Sequence, residues 1–138
     1  MSRSGYTDEC ENNWDMIRWQ GAKKWAIRGR RGQQFFRDLI AALDAMPEKA
    51  LIAEELEADG EVCALGALGR QRGMGMQDLD PEDPKQVAAS FGISETLARE
   101  TVYINDEGGL RGETPQKRWQ RVRDWAEQQL LKPQQEVS

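Results

Sequence analysis

The sequence contains no histidine and only two cysteines in 138 residues. Histidine is the side chain most often used for acid–base catalysis near neutral pH, and it is also the commonest zinc ligand. Cys10 and Cys63 form no CxxC pair and are too few for a disulfide framework. The sequence also lacks a P-loop, a dinucleotide-binding fingerprint and a nucleophile elbow. We therefore predict a protein that is not an enzyme, with no catalytic residues, no metal and no cofactor.

Long apolar runs are also missing. No stretch approaches the roughly 20 apolar residues of a membrane span. The first ten residues, MSRSGYTDEC, lack the apolar segment of a signal peptide. The sequence thus predicts a cytoplasmic protein with reduced thiols and no membrane partner.

The composition, with 38% hydrophobic and 31% charged residues, is that of a globular chain rather than a disordered one. A length of 138 residues fits one domain. We expect residues 13–131 to form a single globular helical domain. Residues 1–12 lack apolar periodicity and residues 132–138 follow a helix stop, so both ends are expected to be flexible.

Charge is distributed unevenly along the chain. Residues 1–37 carry 8 basic and 4 acidic groups (+4), residues 38–107 carry 5 and 16 (−11), and residues 108–138 carry 6 and 4 (+2). An acidic middle between basic ends suits a protein that binds a charged protein surface or a second copy of itself. It does not suit broad coating of nucleic acid, which requires net positive charge.

Large apolar side chains concentrate near the start of the chain. Apolar residues recur at helical spacing over Trp14–Arg28 and again over Gln33–Met46. The two segments are separated by Gly29-Arg30-Arg31-Gly32, a link length that is normal between antiparallel helices. This pattern predicts a helical hairpin with a basic tip, on which the rest of the domain packs.

The first predicted helix has an apolar stripe formed by Trp14, Ile17, Gly21 and Trp25. We expect this stripe to be buried, with Gly21 allowing another backbone to approach closely. Gly29 is expected to end the helix in a left-handed conformation.

Residues 50–63 admit two interpretations. Asp59-Gly60 is a strong tight-turn signal and predicts a β-hairpin of Leu51–Leu56 with Glu61–Cys63. The alternative is a helix over Ala50–Ala58, which is rich in alanine, leucine and glutamate. The predicted fold class is a mainly α, single compact domain built on the helical hairpin, with a possible small β-hairpin near residues 51–63.

The second half of the chain contains clear helix-start signals. A short helix of small residues is predicted over Cys63–Gly69, where Cys63 is expected to act as a small buried hydrophobe rather than a nucleophile. Asp83, Ser94 and Thr114 are placed to cap helices that end at Phe91, Ile104 and Leu131. Trp119, Val122, Ala126 and Leu130 form the predicted inner face of the last helix, with Trp125 beside it.

Basic side chains surround the predicted tip of the helical hairpin, and we take them as the candidate partner-binding residues: Lys23, Lys24, Arg28, Arg30, Arg31 and Arg37. Arginine forks suit carboxylate or phosphate groups. The cluster can therefore dock on an acidic protein patch, including the acidic middle of a second copy in a homodimer. Beside aromatic residues it can also bind RNA or single-stranded DNA. The remaining interpretation is a solvated charged loop.

Two further motifs carry weaker signals. Val87–Val102 has the spacing of a helix-turn-helix, but its second helix carries Glu95 and Glu100 against one basic residue, Arg99, and carboxylates near phosphates cost binding energy. The acidic run of residues 78–83 lacks the glycine and the distal glutamate of a calcium loop, so helix capping explains it better than metal binding.

Four segments, GEVCALGALGRQRG, IRWQGA, RGQQFFRDLIAALDAMPEK and YINDEGG, resemble a family of small uncharacterised proteins encoded by phages and prophages of Gram-negative bacteria. The resemblance covers most of Tyr6 to Leu130 and brings no assigned chemistry. It implies an accessory phage protein that binds a host or phage protein in the host cytoplasm, as an inhibitor of antiviral defence (anti-CRISPR-like). Alternatives are a small nucleic-acid-binding regulator and a virion or assembly component.

Overall fold

The computed structural model describes residues 13–132, with side chains from Ile17 onward. This part of the chain forms six helices and one two-stranded antiparallel sheet: α1 (Asn13–Arg28), α2 (Arg30–Ala45), β1 (Glu57–Ala58), β2 (Glu61–Val62), α3 (Ala64–Gln71), α4 (Pro84–Phe91), α5 (Glu95–Glu107) and α6 (Pro115–Gln129). The predicted mainly α fold with a small β-hairpin is confirmed. Among these residues no helix is long and apolar enough to cross a membrane. The predicted flexible ends, apart from Lys132, lie outside the described residues.

Helix α2 provides the centre of the core. Phe35, Phe36, Leu39 and Leu43 are buried along it, and it packs chiefly against α3 and α6. The Phe36 ring lies edge-on to Phe35 and to Trp125, with centroid separations of 5.3 and 5.2 Å. Each large apolar side chain buried in this way stabilises the fold by about 1.5–3 kcal/mol. The second half of the predicted helical pair therefore organises the domain as expected.

The link between α1 and α2 is shorter than predicted. Gly29 alone separates the two helices, and Arg30 and Arg31 belong to the first turn of α2 rather than to a loop. Gly29 has φ −68° and ψ 164°, so the predicted left-handed helix end is wrong. Because its backbone is extended, Gly29 acts as the N-cap of α2, and its carbonyl accepts the N–H of Gln33 at 2.9 Å.

The close approach of two backbones occurs at Gly32 and not at Gly21. A Cβ added at position 32 would overlap the carbonyl oxygen of Ala26, whereas a Cβ at position 21 would meet nothing within 4 Å. The prediction for Gly21 is therefore wrong, and Gly32 is the residue that lets α2 start against the end of α1.

The predicted buried stripe of α1 faces outward. Ile17 is 60% exposed and Trp25 is 80% exposed, while the side chain of Trp14 lies outside the described residues. Helix α1 packs on α5 and instead directs Ala26 and Ile27 toward the core. The periodicity is correct, but α1 has apolar residues on more than one face, and periodicity alone does not select the face that is buried.

The β-hairpin turns at Asp59-Gly60, where both residues have positive φ (52° and 81°), as the tight-turn signal predicts. Its strands are shorter than predicted, since Glu54 also has positive φ (70°) and interrupts the segment before β1. Ile52 still donates its N–H to the carbonyl of Val62 at 2.9 Å. No helix forms over Ala50–Ala58.

The predicted helix starts are confirmed in the second half. The side chains of Asp83, Ser94 and Thr114 each accept the N–H three residues further on, at 3.2, 3.1 and 3.2 Å. Such caps contribute about 1 kcal/mol each. Gly92 ends α4 in the left-handed conformation, with φ 69°. Helix α5 is three residues longer than predicted and α6 is two residues shorter.

Gln33 is a buried polar residue that fixes the α1–α2 junction. Its Nε2 donates to the carbonyls of Ile27 (2.8 Å) and Gln129 (2.9 Å), and its Oε1 accepts the N–H of Leu131 at 2.9 Å. These bonds satisfy groups that are costly to bury unpaired. They hold the end of α1, the start of α2 and the end of α6 together.

Candidate protein-binding surface

The outer side of α1 and the first turn of α2 form what we call the basic surface, with Ile17, Lys24, Trp25, Arg28, Arg30 and Arg31 as its members. All six residues are exposed. Residues 16–37 contain seven basic residues and no acidic one. Lys24, Arg28, Arg30 and Arg31 form no ion pair with any residue in the range 17–132. No residue of this range therefore neutralises their charges, which suits contact with a partner.

A groove of about 450 Å³ crosses the basic surface beside the end of α6. Three of the six predicted site residues, Lys23, Lys24 and Arg28, line it together with the apolar side chain of Ile27. Among the side chains of residues 17–132, no carboxylate lines the groove. The structure thus brings half of the predicted cluster to one concave place, where an acidic side chain of a partner would be attracted.

Lys23 differs from Lys24, Arg28, Arg30 and Arg31 because it has an ion-pair partner inside the fold. Its Nζ lies 3.6 Å from the carboxylate of Glu100 on α5, whose side chain is 8% exposed. A carboxylate buried at this depth without a cation would cost several kcal/mol. The position of Lys23 is therefore explained by the packing of α1 on α5.

Arg30 and Arg31 occupy an electrostatically unfavourable position. The N-terminal end of a helix carries partial positive charge, and a cation there costs about 0.3–1 kcal/mol. The first turn of α2 contains no acidic residue, and Gly29 supplies no side-chain cap. Stability does not explain two arginines here. Backbone N–H groups and two guanidinium forks instead suit an anionic group on a partner.

Arg37, the last predicted site residue, lies almost two turns further along α2. It is exposed and donates to the Oε1 of Gln34 at 3.3 Å. We leave it outside the basic surface, since it is separated from Arg30 and Arg31 along the helix.

Ile17, Gly21 and Trp25 lie four residues apart and form one exposed stripe on α1. Large apolar side chains with this exposure are rare in residues 17–132, where Leu110 is the other example. Exposed apolar stripes with a polar border mark interaction sites. Sequence reasoning identified the stripe but assigned it to the core. The sequence does contain a signal that the stripe is exposed: lysine and arginine alternate with its residues, and residues 16–37 contain no acidic residue.

The helix-turn-helix-like segment does not present a reading helix. α5 packs against α1, α3, α4 and α6, and Glu107, at its last position, is its one fully exposed residue. A helix that reads DNA must expose side chains to the bases of the major groove. With α1 packed against it, α5 cannot enter a groove.

Cys63 is buried at the start of α3, where its Sγ accepts the N–H of Gly66 at 3.4 Å. Its expected role as a small buried residue is confirmed. Asp83 caps α4, as described above, and Asp80 accepts the N–H of Glu82 at 2.9 Å. Within residues 13–132 no three cysteine or acidic side chains are grouped so that they could hold a metal ion.

Several short ion pairs involve arginines of α6 and residues outside the basic surface. Arg121 binds both carboxylate oxygens of Glu113, at 2.7 and 3.0 Å, and also donates to the carbonyl of Ile104 at 2.6 Å. The hydrogen bonds from Arg121 lower the pKa of Glu113 below its ordinary value. Arg123 binds Asp44 at 2.6 and 3.0 Å and likewise lowers the pKa of that carboxyl. These pairs join α6 to the preceding loop and to α2.

Comparison of the chain with protein-family models, with curated proteins and with solved structures finds no significant match. The resemblance to phage-encoded proteins therefore stays a prediction from the sequence.

Proposed function

We propose that this protein is a non-catalytic, phage-type accessory protein that binds a host protein in the bacterial cytoplasm and inhibits an antiviral defence. The observation that carries the binding role is the 80% exposure of Trp25 on the basic surface, among cations that form no ion pair within residues 17–132. The phage origin and the defence target are supported by the sequence resemblance alone.

Tryptophan and arginine are the side chains that contribute most to protein–protein binding energy. On the basic surface Trp25 stands between Lys24 and Arg28, with Ile17 two helical turns away on the same stripe. An apolar anchor bordered by cations suits a partner that offers an apolar pocket with an acidic rim. Truncation of such an anchor typically costs 2 kcal/mol or more, which is about a 30-fold loss of affinity.

A protein partner fits these observations better than nucleic acid. The whole chain has a net charge of −5. In addition, α5 is covered by neighbouring helices and cannot contact bases in the major groove of DNA. Trp25 beside arginines would still allow a base to stack. Salt dependence separates the two cases, because phosphate contacts give a steep linear fall of log affinity with log salt.

The experiment is capture of partners by N-terminally tagged protein from infected host cells, followed by identification by mass spectrometry and measurement of the affinity with the purified partner. We expect Trp25→Ala and the double variant Arg30→Glu/Arg31→Glu each to weaken binding at least about 30-fold. The matched control is Lys85→Glu, which reverses an exposed charge on α4 and should leave affinity unchanged.

Equal affinity of the wild type and both surface variants would remove the basic surface from consideration. Recovery of nucleic acid in place of protein, with a steep salt slope, would replace the proposed function by the nucleic-acid alternative.

A further inference from the structure

A second concave site lies at the opposite end of α2. This cavity of about 370 Å³ is formed by the end of α2, the end of α3 and the turn of the β-hairpin. Ala42, Met46, Val62 and Ala67 supply its apolar lining. Below, we call it the α2 C-terminal cavity.

The charges that line this cavity are Glu48, Glu61 and Arg70. Arg70 is already engaged, since it donates to the carboxylate of Glu57 at 3.1 Å and to the carbonyl of Gly60 at 2.8 Å. Glu48 and Glu61 are exposed and appear in no ion pair of the described residues. An apolar space with two unpaired carboxylates suits an apolar group carried between cations.

The basic surface offers that combination, with Trp25 flanked by Lys24 and Arg28. It lies at the N-terminal end of α2, and the cavity lies at the C-terminal end. A helix of 16 residues is about 24 Å long. One copy therefore cannot place Trp25 in its own cavity, and only another molecule can make the contact.

We infer that the α2 C-terminal cavity receives Trp25 from a second copy of this chain, with Lys24 and Arg28 facing Glu48 and Glu61. A symmetric pairing of two basic surfaces is disfavoured, because it would set the four cations of one copy, Lys24, Arg28, Arg30 and Arg31, against the same four of the other. The contact is thus head-to-tail, and such contacts build open chains or closed rings.

This self-association goes beyond the proposed function and does not depend on a host partner. The contact area is limited to one tryptophan and its neighbours, which places it among weak interfaces. Self-association therefore increases with protein concentration, and it competes with any partner that needs Trp25. At low concentration the basic surface is free.

The test is analytical ultracentrifugation of the full chain at low salt, from about 10 µM to about 1 mM, the range expected for a small interface. The average mass should rise above the 15.7 kDa of one chain and fall again when salt is added. Trp25→Ala removes the inserted side chain. Ala45→Trp fills the cavity from an exposed position at the last residue of α2. Each variant alone should remain monomeric at every concentration.

The two variants mixed together should form a one-to-one dimer, because the first retains an open cavity and the second retains Trp25. Leu110→Ala, which removes another strongly exposed apolar side chain, should associate like the wild type. A wild type that stays monomeric at about 1 mM, or a mixture that fails to pair, would overturn the inference. Ala45→Trp should still bind a captured host protein, so failure here leaves the proposed function standing.

Discussion

Helices α1 and α6 are similar in length and in tryptophan and arginine content, but they use these residues differently. Trp119 on α6 is 9% exposed and donates its Nε1–H to the carbonyl of Leu43 at 3.1 Å, whereas Trp25 on α1 is 80% exposed. Arg121 and Arg123 on α6 bind carboxylates of the same chain. Lys24 and Arg28 on α1 have no such partner in residues 17–132.

The difference indicates which side chains stabilise the fold and which are available for binding. Arg121 and Arg123 of α6 pair with Glu113 and Asp44, which connects α6 to the preceding loop and to α2, and Arg123 also pairs with Glu127 within α6. The four cations of the basic surface form no ion pair of this kind with the side chains that the structure describes. Composition alone does not distinguish the two helices; the distribution of acidic residues around them does.

The sharpest test of the comparison replaces the two tryptophans in turn. Trp119→Ala should lower the free energy of unfolding by about 3–5 kcal/mol, because it removes a buried ring and the hydrogen bond to Leu43. Trp25→Ala should change it by less than about 0.5 kcal/mol, since the side chain is exposed. Urea unfolding measures both values. Equal losses would mean that Trp25 is part of the core.

Two glycines test the α1–α2 junction. Gly32→Ala should lower the free energy of unfolding by about 3 kcal/mol, because its Cβ overlaps the backbone of α1 and the helices must separate. Gly21→Ala, the matched control in the middle of α1, should raise it by up to about 1 kcal/mol through higher helix propensity. Thermal and urea unfolding of the pair give the sign of each change. A tolerated alanine at position 32 would contradict the close approach.

Acid should weaken α6 through Glu113. Its pKa is lowered in the folded protein, so its ion pair stabilises the fold above the ordinary pKa of 4.5, and that contribution is lost as the pH falls through the lowered value. Glu113→Gln should lose about 2 kcal/mol at pH 7, the cost of losing hydrogen bonds to a charged group. Unfolding measured from pH 7 to pH 3 should show the wild type approaching the variant. A difference that does not change with pH would reject this role.

The smallest expected effect concerns the first turn of α2. Arg30→Glu/Arg31→Glu replaces cations by anions at the positive end of a helix, so stability should increase by about 1 kcal/mol while partner binding falls. Higher stability with lower affinity is the result expected of residues retained for binding. The melting temperature is compared with that of Lys85→Glu. A double variant that melts below the wild type would indicate an internal role for these arginines.

Local features of the fold were predictable from the sequence. Asp83, Ser94 and Thr114 act as caps through residues three positions away, and the turn at Asp59-Gly60 depends on those two residues. The buried face of α6 followed from the single apolar stripe that contains Trp119. In each case the determining contacts are close in sequence or lie along one helix.

Features that depend on distant contacts were not predictable. Gln33 is buried because its partners include Gln129, 96 residues away. Asn105 is buried because it accepts the N–H of Ala64 and donates to the carbonyl of Ile52. The outward face of α1 is set by its packing on α5. Apolar periodicity does not reveal this distant contact, so it predicts that Trp25 is buried although Trp25 faces outward. Of the candidate cations, the fold pairs Lys23 with Glu100, a contact that spacing does not reveal.

The Gln33 bonds have a practical consequence for the design of fusion proteins. Since they hold Leu131 against the α1–α2 junction, any domain or dye attached just after Lys132 starts beside the groove. A bulky domain inserted at this position would obstruct binding of a partner in the groove, whereas a small environment-sensitive fluorophore at the same position would report that binding.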